Sequence, residues 1–163
     1  MAHATRGGGI IIIGLSILVA LVLTLIPLPD WATSLRPEWL ALVLLYWTMA
    51  LPHRVGIGTA FGCGLLLDVL RGAVLGQHAL ALVLIIYLTL KVYQQIRVYP
   101  MWQQALSITG LLLLYQVMIL WVNGIMDVPS RGWTFWLPTF TSTLMWPWIY
   151  LLLRDVRRNF GVK

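Results

Sequence analysis

The apolar stretch GGIIIIGLSILVALVLTLIPL, residues 8–28, decides what kind of fold this sequence can adopt. A helix of roughly 20 residues crosses the hydrocarbon core of a bilayer, which is about 30 Å thick. The stretch is longer than the apolar core of a secretory signal, about 7 to 15 residues. No small-x-small cleavage site precedes Pro27. We therefore expect residues 8–28 to be retained as a transmembrane helix.

The rest of the sequence has the same character. Hydrophobic residues make up 60% of the 163 residues and charged residues 10%, and the mean hydropathy is +0.88. This is too apolar for a soluble domain of that length. Five more apolar segments follow, at residues 38–51, 55–70, 78–92, 105–126 and 133–153. The sequence predicts an all-α polytopic membrane protein, with six transmembrane helices in a single domain over residues 1–163.

The second and third segments are short for a membrane crossing. At about 1.5 Å per residue each spans only some 20 to 25 Å. The corner Pro52-His53-Arg54 alone separates them. The helices could extend through flanking residues, neighbouring helices could shield them, or the pair could form a re-entrant hairpin. Because a re-entrant hairpin would place Arg54 at membrane depth, at a cost of several kcal/mol without a partner, we favour a cytoplasmic turn.

The basic residues between the segments indicate the orientation. Eight lie on one predicted side and three on the other. The larger set is Arg6, Arg54, Lys91, Arg97, Arg154, Arg157, Arg158 and Lys163, and the smaller set is Arg36, Arg71 and Arg131. Since cytoplasmic loops carry the excess of Lys and Arg, both termini are predicted to be cytoplasmic. The basic tail at 154–163 is expected to lie near anionic lipid or to dock a cytoplasmic partner.

The net charge of +6 does not indicate nucleic-acid binding, because the basic residues are scattered singly at segment ends. No predicted loop exceeds roughly 12 residues, and HExxH, CxxC, Walker and GxSxG motifs are absent from the sequence. Cys63 stands alone. His53 and His78 are predicted at opposite membrane faces, as polar residues at the interface, so they cannot share a metal. We expect a protein that is not an enzyme and has no cofactor or metal site.

Four glycines in the third segment, Gly56, Gly58, Gly62 and Gly64, are the most informative local pattern. Gly58 and Gly62 are four residues apart and share one helix face, where a missing side chain allows close approach of another backbone. This face is predicted to be a tight helix contact. It could serve packing within the bundle, or it could contact a transmembrane helix of another protein.

Asp68, Arg71, Gly72, Gly76 and His78 follow near the predicted outer face. Asp68 lies one turn before Arg71, so the two charges could form an ion pair that ties the helix end to the following loop. Asp68 could instead cap that loop or hold a partner, because ionisable groups at membrane depth usually have a specific role. A proton relay is a third interpretation, but a single acid without titratable neighbours supports it weakly.

At these residues the sequence resembles the bacterial rod shape-determining protein MreD family. The resemblance lies in Arg36-Pro37-Glu38-Trp39, in the Tyr46-Trp47 pair before Pro52, and above all in one central motif. That motif is Gly64-Leu65-Leu66-Leu67-Asp68, continuing through Gly72 to Leu75-Gly76-Gln77-His78-Ala79-Leu80. Length and segment order match the family along the whole chain.

The resemblance implies a component of the cell-elongation complex in the bacterial inner membrane. Its implied partners are MreC, the actin-like MreB, and a SEDS glycosyltransferase with its class B penicillin-binding transpeptidase. The family is similar to the substrate-binding subunits of energy-coupling factor transporters, which implies a pocket open to the outer face. We expect a membrane scaffold that binds MreC, with homo-oligomerisation also possible. The alternative is a small-molecule or lipid-intermediate binding protein, or a transport subunit, with Pro138 and Pro147 kinking the sixth segment beside the pocket.

Overall fold

The computed structural model describes the backbone of residues 4–163 and the side chains of residues 7–163, so the side chain of Arg6, counted above, lies outside the described residues. The described chain is helical and contains no strand. Its helices are α1 Ala4–Leu25, α2 Asp30–Thr33, α3 Trp39–Ala50, α4 Ile57–Arg71, α5 Gln77–Val98, α6 Met101–Ile125, a 3-10 helix at Gly132–Trp136, and α7 Leu137–Asn159.

Each of the six predicted apolar segments corresponds to one helix, but several ends were placed wrongly. The sixth segment, predicted at 133–153, is α7 at Leu137–Asn159, preceded by the 3-10 helix at Gly132–Trp136. The boundary between the fourth and fifth segments was also wrong. Helix α5 continues to Val98 instead of ending at residue 92, and α6 begins at Met101 instead of residue 105. The polar residues near the end of α5 are helical, and the break comes at Tyr99 and Pro100. Tyr99 is extended because a residue before proline is sterically disfavoured in the helical region.

Helix α3 is the centre of the bundle. All ten residues from Leu40 to Met49 are buried, on every face of the helix. A helix that is hydrophobic all round belongs inside a bundle. Here α3 packs against α1, α5 and α7, so neighbouring helices shield this short helix. Helix α4 is also short, at 15 residues, but it lies outside the centre and exposes apolar side chains such as Phe61 and Val69.

Side-chain hydrogen bonds connect the helices inside the bundle. The Trp47 indole on α3 donates to Ser16 Oγ on α1 at 2.8 Å. The Trp146 indole on α7 donates to Gln104 Oε1 on α6 at 3.2 Å. Both tryptophans are fully buried. In a low-dielectric interior such pairs satisfy polar groups that would otherwise be costly to bury, and they fix the helices relative to one another.

The helices run alternately between two ends of the bundle. Arg54 lies beside Gly9 of α1 and Val162 after α7, because a methyl group at Gly9 would be 2.8 Å from Arg54 Nη1 and 3.2 Å from Val162 Cγ1. We call this end the Arg54 end. At the other end, the Arg36 guanidinium donates to the carbonyls of Thr24 and Ile26 where α1 finishes. Arg71 lies at that second end, which we call the Arg71 end.

Three helices of the described chain are long and apolar enough to cross a membrane, judged by length and composition. They are α1 from Gly7, α5 and α6. Helix α3 is apolar but shorter. The structure thus contains the hydrophobic helices expected of a membrane protein.

Candidate partner-binding site

The close helix contact of α4 is made by Gly64. A Cβ at Gly64 would lie 2.3 Å from Ala79 Cα and 2.7 Å from Ala79 N, so the backbones of α4 and α5 meet here with no room for a side chain. Nothing lies within 4 Å of a Cβ built at Gly56, Gly58 or Gly62. The interpretation of Gly58 and Gly62 as packing within the bundle is therefore wrong. Both face outward, and contact with another protein stays a prediction for them.

Asp68 lies one turn after Gly64 on the same face, fully buried, and it caps the start of α5. Its Oδ2 accepts a hydrogen bond from Gly76 N at 2.8 Å, and its Oδ1 accepts one from His78 N at 2.9 Å. The first N–H groups of a helix have no partner within the helix, and a carboxylate satisfies them while matching the positive end of the helix dipole. The alternative of an ion pair between Asp68 and Arg71 is wrong, since no described contact joins the two.

Two glycines make this cap possible. Gly72 ends α4 with φ of 63°, and Gly76 precedes α5 with φ of 95°. Both values lie in the left-handed region, which side chains with a Cβ rarely adopt. The tight loop between them turns the chain back, so that the first N–H groups of α5 face Asp68.

His78 is buried in the bundle near the Arg71 end, with 6% of its surface exposed, and its depth at the membrane interface stays a prediction. Its Nε2 lies 3.2 Å from Arg71 Nη1, and its Nδ1 lies 2.7 Å from Asp68 Oδ1. A guanidinium can only donate hydrogen bonds, so His78 Nε2 must be the acceptor. His78 Nδ1 therefore carries the proton and donates a hydrogen bond to Asp68 Oδ1. Arg71 continues the network to Glu38, 3.9 Å away at the start of α3.

This network lines a partly open cavity of about 420 Å³ at the Arg71 end. Gln77 closes part of its wall, with Nε2 donating to Asn123 Oδ1 at 2.7 Å. Gln116 of α6 also lines the cavity and is only 3% exposed, yet its amide has no hydrogen-bond partner among the described residues. The cavity thus offers a charged network on one side and an unused amide on the other.

Sequence reasoning missed three residues of this wall, Gln77, Gln116 and Asn123. The available signal was the presence of amide side chains inside otherwise apolar helices, because such residues face the bundle or a polar cavity. Glu38 was noted only as part of a motif. Of the predicted site residues, the structure brings Asp68, Arg71 and His78 into contact through one network, and it leaves Gly58 and Gly62 on an outer face.

Arg71→Gln is expected to destabilise the protein by about 1 to 2 kcal/mol, since the charged hydrogen bond to His78 and the ion pair with Glu38 are lost from a partly buried site. The thermal unfolding midpoint in detergent measures this. Arg131→Gln is the matched control, because Arg131 lines the same cavity but is exposed and in no described ion pair. Equal midpoints for the two variants would contradict the proposed role of Arg71.

Fold and site together define an integral membrane protein, a helical bundle with a polar cavity at one end. The family described as rod shape-determining protein MreD matches residues 6–156. The MreD protein of Haemophilus influenzae is 38% identical over 141 residues, which cover 86% of this chain and 87% of that protein. No solved structure matches the chain. The chain belongs to the MreD family, and its role is in the determination of cell shape.

Proposed function

We propose that this protein is a non-enzymatic scaffold of the cell-elongation complex, crossing the inner membrane six times with both termini in the cytoplasm. The alternation of the helices between two ends supports this topology. Arg54, Arg97, Arg154 and Arg157 lie towards one end, and Arg36, Arg71 and Arg131 towards the other. By the positive-inside rule the Arg54 end is cytoplasmic and the Arg71 end faces outward. The six-helix arrangement is then comparable to that of transporter substrate-binding subunits.

The scaffold binds MreC through two surfaces. The first is the outer face of α4 at Gly58 and Gly62, which lets another transmembrane helix approach its backbone closely. The second is the cavity at the Arg71 end, which receives the segment of MreC next to its membrane anchor. A peptide brings backbone N–H and C=O groups into the cavity, and an amide such as that of Gln116 can pair with both.

The observation that carries this proposal is the combination of a rigid wall with an unused polar group. Asp68 fixes the start of α5, and the network from His78 to Glu38 fixes the ends of α3 and α4 around the same cavity. Because this side of the cavity is already fixed before MreC binds, less conformational entropy is lost on binding. The scaffold would align the enzymes of cell-wall synthesis, on the outer side of the membrane, with MreB on the cytoplasmic side, through MreC or by direct contact.

Gly58→Leu is expected to reduce co-purification of MreC by about tenfold, because a bulky side chain separates two helices that pack through small residues. Insertion should not change and the unfolding midpoint should not fall, since nothing lies within 4 Å of a Cβ built at Gly58. Gly110→Leu on α6 is the matched control, because it is also an exposed glycine in open space. If both variants retain MreC as the parent protein does, the α4 face is not the contact.

A second function has specific support from the same cavity. A volume of about 420 Å³ lies within the range of small-molecule sites, roughly 300 to 1,000 Å³. The cavity could therefore hold a small molecule or the headgroup of a lipid intermediate. Site-specific crosslinking from the 72–76 loop and from Gln116 distinguishes the two functions. Capture of MreC supports the scaffold, and capture of a lipid or metabolite, with MreC absent, supports the binding protein.

A further inference from the structure

A second, smaller cavity lies at the Arg54 end, opposite the site described above. Its volume is about 190 Å³, and it is formed where the ends of α3, α5 and α7 meet the start of α6. This is larger than the cavity of about 150 Å³ that accommodates a benzene molecule in an engineered protein interior. A phosphate group of a lipid or a free phosphate ion can therefore enter it.

Three arginines converge on this cavity, Arg97 from α5 and Arg154 and Arg157 from α7. No Asp or Glu of the described chain lines it. The nearest acid on α7, Asp155, lies 3.9 Å from Arg154 Nε and is exposed on the outside. Asp155 balances only Arg154, and neither Arg97 nor Arg157 is in an ion pair with another described residue. An excess of positive charge therefore remains around the cavity, and guanidinium geometry matches phosphate oxygens well.

The uncharged polar groups of the cavity can also donate hydrogen bonds to a ligand. The Trp146 indole can only donate, so Gln104 Oε1 is already engaged as its acceptor. Gln104 Nε2 also donates to the Ile96 carbonyl at 3.3 Å, so one N–H of the amide remains for a ligand. Tyr46 is 3% exposed, and its hydroxyl has no hydrogen-bond partner among the described residues. The ring of Tyr46 is fixed by an edge contact with Tyr150, at 5.6 Å between centroids, and Tyr150 lines the same cavity.

The surroundings of the cavity favour a lipid over a soluble anion. Both α5 and α6, which meet here, are long and apolar enough to cross a membrane. Val98, Trp102 and Leu152 at this end expose more than half of their surfaces. Apolar surface beside a basic pocket between helices fits the acyl chains and the headgroup of one phospholipid, and anionic lipids collect at basic protein surfaces of the cytoplasmic leaflet.

We propose that the cavity lined by Arg97, Arg154 and Arg157 binds the phosphate group of an anionic phospholipid such as phosphatidylglycerol or cardiolipin. The arginines hold the phosphate oxygens, and Tyr46 and Gln104 donate hydrogen bonds from the floor. The lipid would then connect the ends of α3, α5 and α7, and its negative charge would offset the repulsion among the three arginines. This site is independent of the cavity at the Arg71 end and of any MreC contact.

Native mass spectrometry of the full chain in detergent, with phosphatidylglycerol added, tests this proposal. The parent protein should retain one phosphatidylglycerol. The double variant R154Q/R157Q should bind it about 30-fold more weakly, because two basic contacts to an anionic headgroup are removed. R158Q/K163Q is the matched control, since it removes two positive charges from the same end at exposed residues that do not line the cavity. The control should still retain one lipid.

A third variant guards against a folding defect. Tyr46→Phe keeps the ring contacts and removes only the hydroxyl, so it should weaken retention of phosphatidylglycerol without changing the unfolding midpoint measured in the absence of lipid. Equal lipid loss from R154Q/R157Q and from the control would overturn the proposal, because binding would then be diffuse surface attraction. Displacement of the lipid by inorganic phosphate at the same concentration would overturn the lipid assignment and show that the site takes a soluble anion.

Discussion

Gly64→Ala is expected to lower the free energy of unfolding by about 3 kcal/mol, at the upper end of the usual cost of overpacking. The added Cβ would lie 2.3 Å from Ala79 Cα and 2.7 Å from Ala79 N. These are backbone atoms, which cannot rotate away as a side chain can, so α4 and α5 must separate. Because Asp68 follows one turn later on the same face, the separation also pulls its carboxylate away from the start of α5.

The unfolding midpoint in detergent measures this effect, and Gly62→Ala is the matched control. Gly62 is on the same helix, but nothing lies within 4 Å of a Cβ there. Alanine is favoured over glycine in helices by up to about 1 kcal/mol, so the control should be neutral or slightly stabilised. A Gly64→Ala protein as stable as the parent would mean that the two backbones are not in contact.

Asp68→Ala is expected to destabilise the protein by about 3 to 5 kcal/mol, because three buried donors lose their acceptor and each buried donor left unsatisfied costs about 1 to 3 kcal/mol. The change leaves Gly76 N, His78 N and His78 Nδ1 without their acceptor in the interior. Arg71 then faces His78 with no carboxylate behind it. The midpoint of thermal unfolding should fall steeply, and the 72–76 loop should become accessible to protease.

Two further variants separate charge from hydrogen bonding at this site. Asp68→Asn keeps one acceptor oxygen but turns an NH₂ group towards donors, so its midpoint should lie between those of the parent and Asp68→Ala. Asp127→Asn is the control for lost charge at the same end, because Asp127 is exposed and asparagine tolerates its φ of 55°. If Asp127→Asn and Asp68→Ala shift the midpoint equally, the cap at α5 does not stabilise the fold.

The partners of Asp68 could not be predicted from the sequence. Spacing alone put Arg71 within reach, one turn along the helix. In the structure Asp68 turns to the start of α5 instead, because Gly72 and Gly76 fold the chain back and present unpaired backbone N–H groups to it. Two N–H groups and the His78 ring satisfy the buried carboxylate, and Arg71 remains free to reach Glu38. The motif was visible in the sequence, but its partners were not.

The prediction that Gly58 and Gly62 pack within the bundle was wrong for a different reason. In a soluble protein the polar side of a helix shows which side faces outward, and the opposite side faces the core. In lipid both sides are apolar, so the sequence of α4 does not show whether Gly58 or Gly64 faces the bundle. Only the packing against Ala79 decides this. The same ambiguity hid the burial of His78 and the cavity-facing amide of Gln116.

The sequence by itself determined that the chain is helical and embedded in lipid, and it determined the number and order of the long apolar segments. Those properties depend on local composition, and on glycines such as Gly72 that permit a left-handed turn between two segments. The tertiary structure alone decided how each helix is rotated about its axis, which placed Gly64 inside, Gly58 outside and two polar cavities at opposite ends. Rotation depends on the shapes of neighbouring helices, and hydropathy carries no information about it where solvent and core are equally apolar.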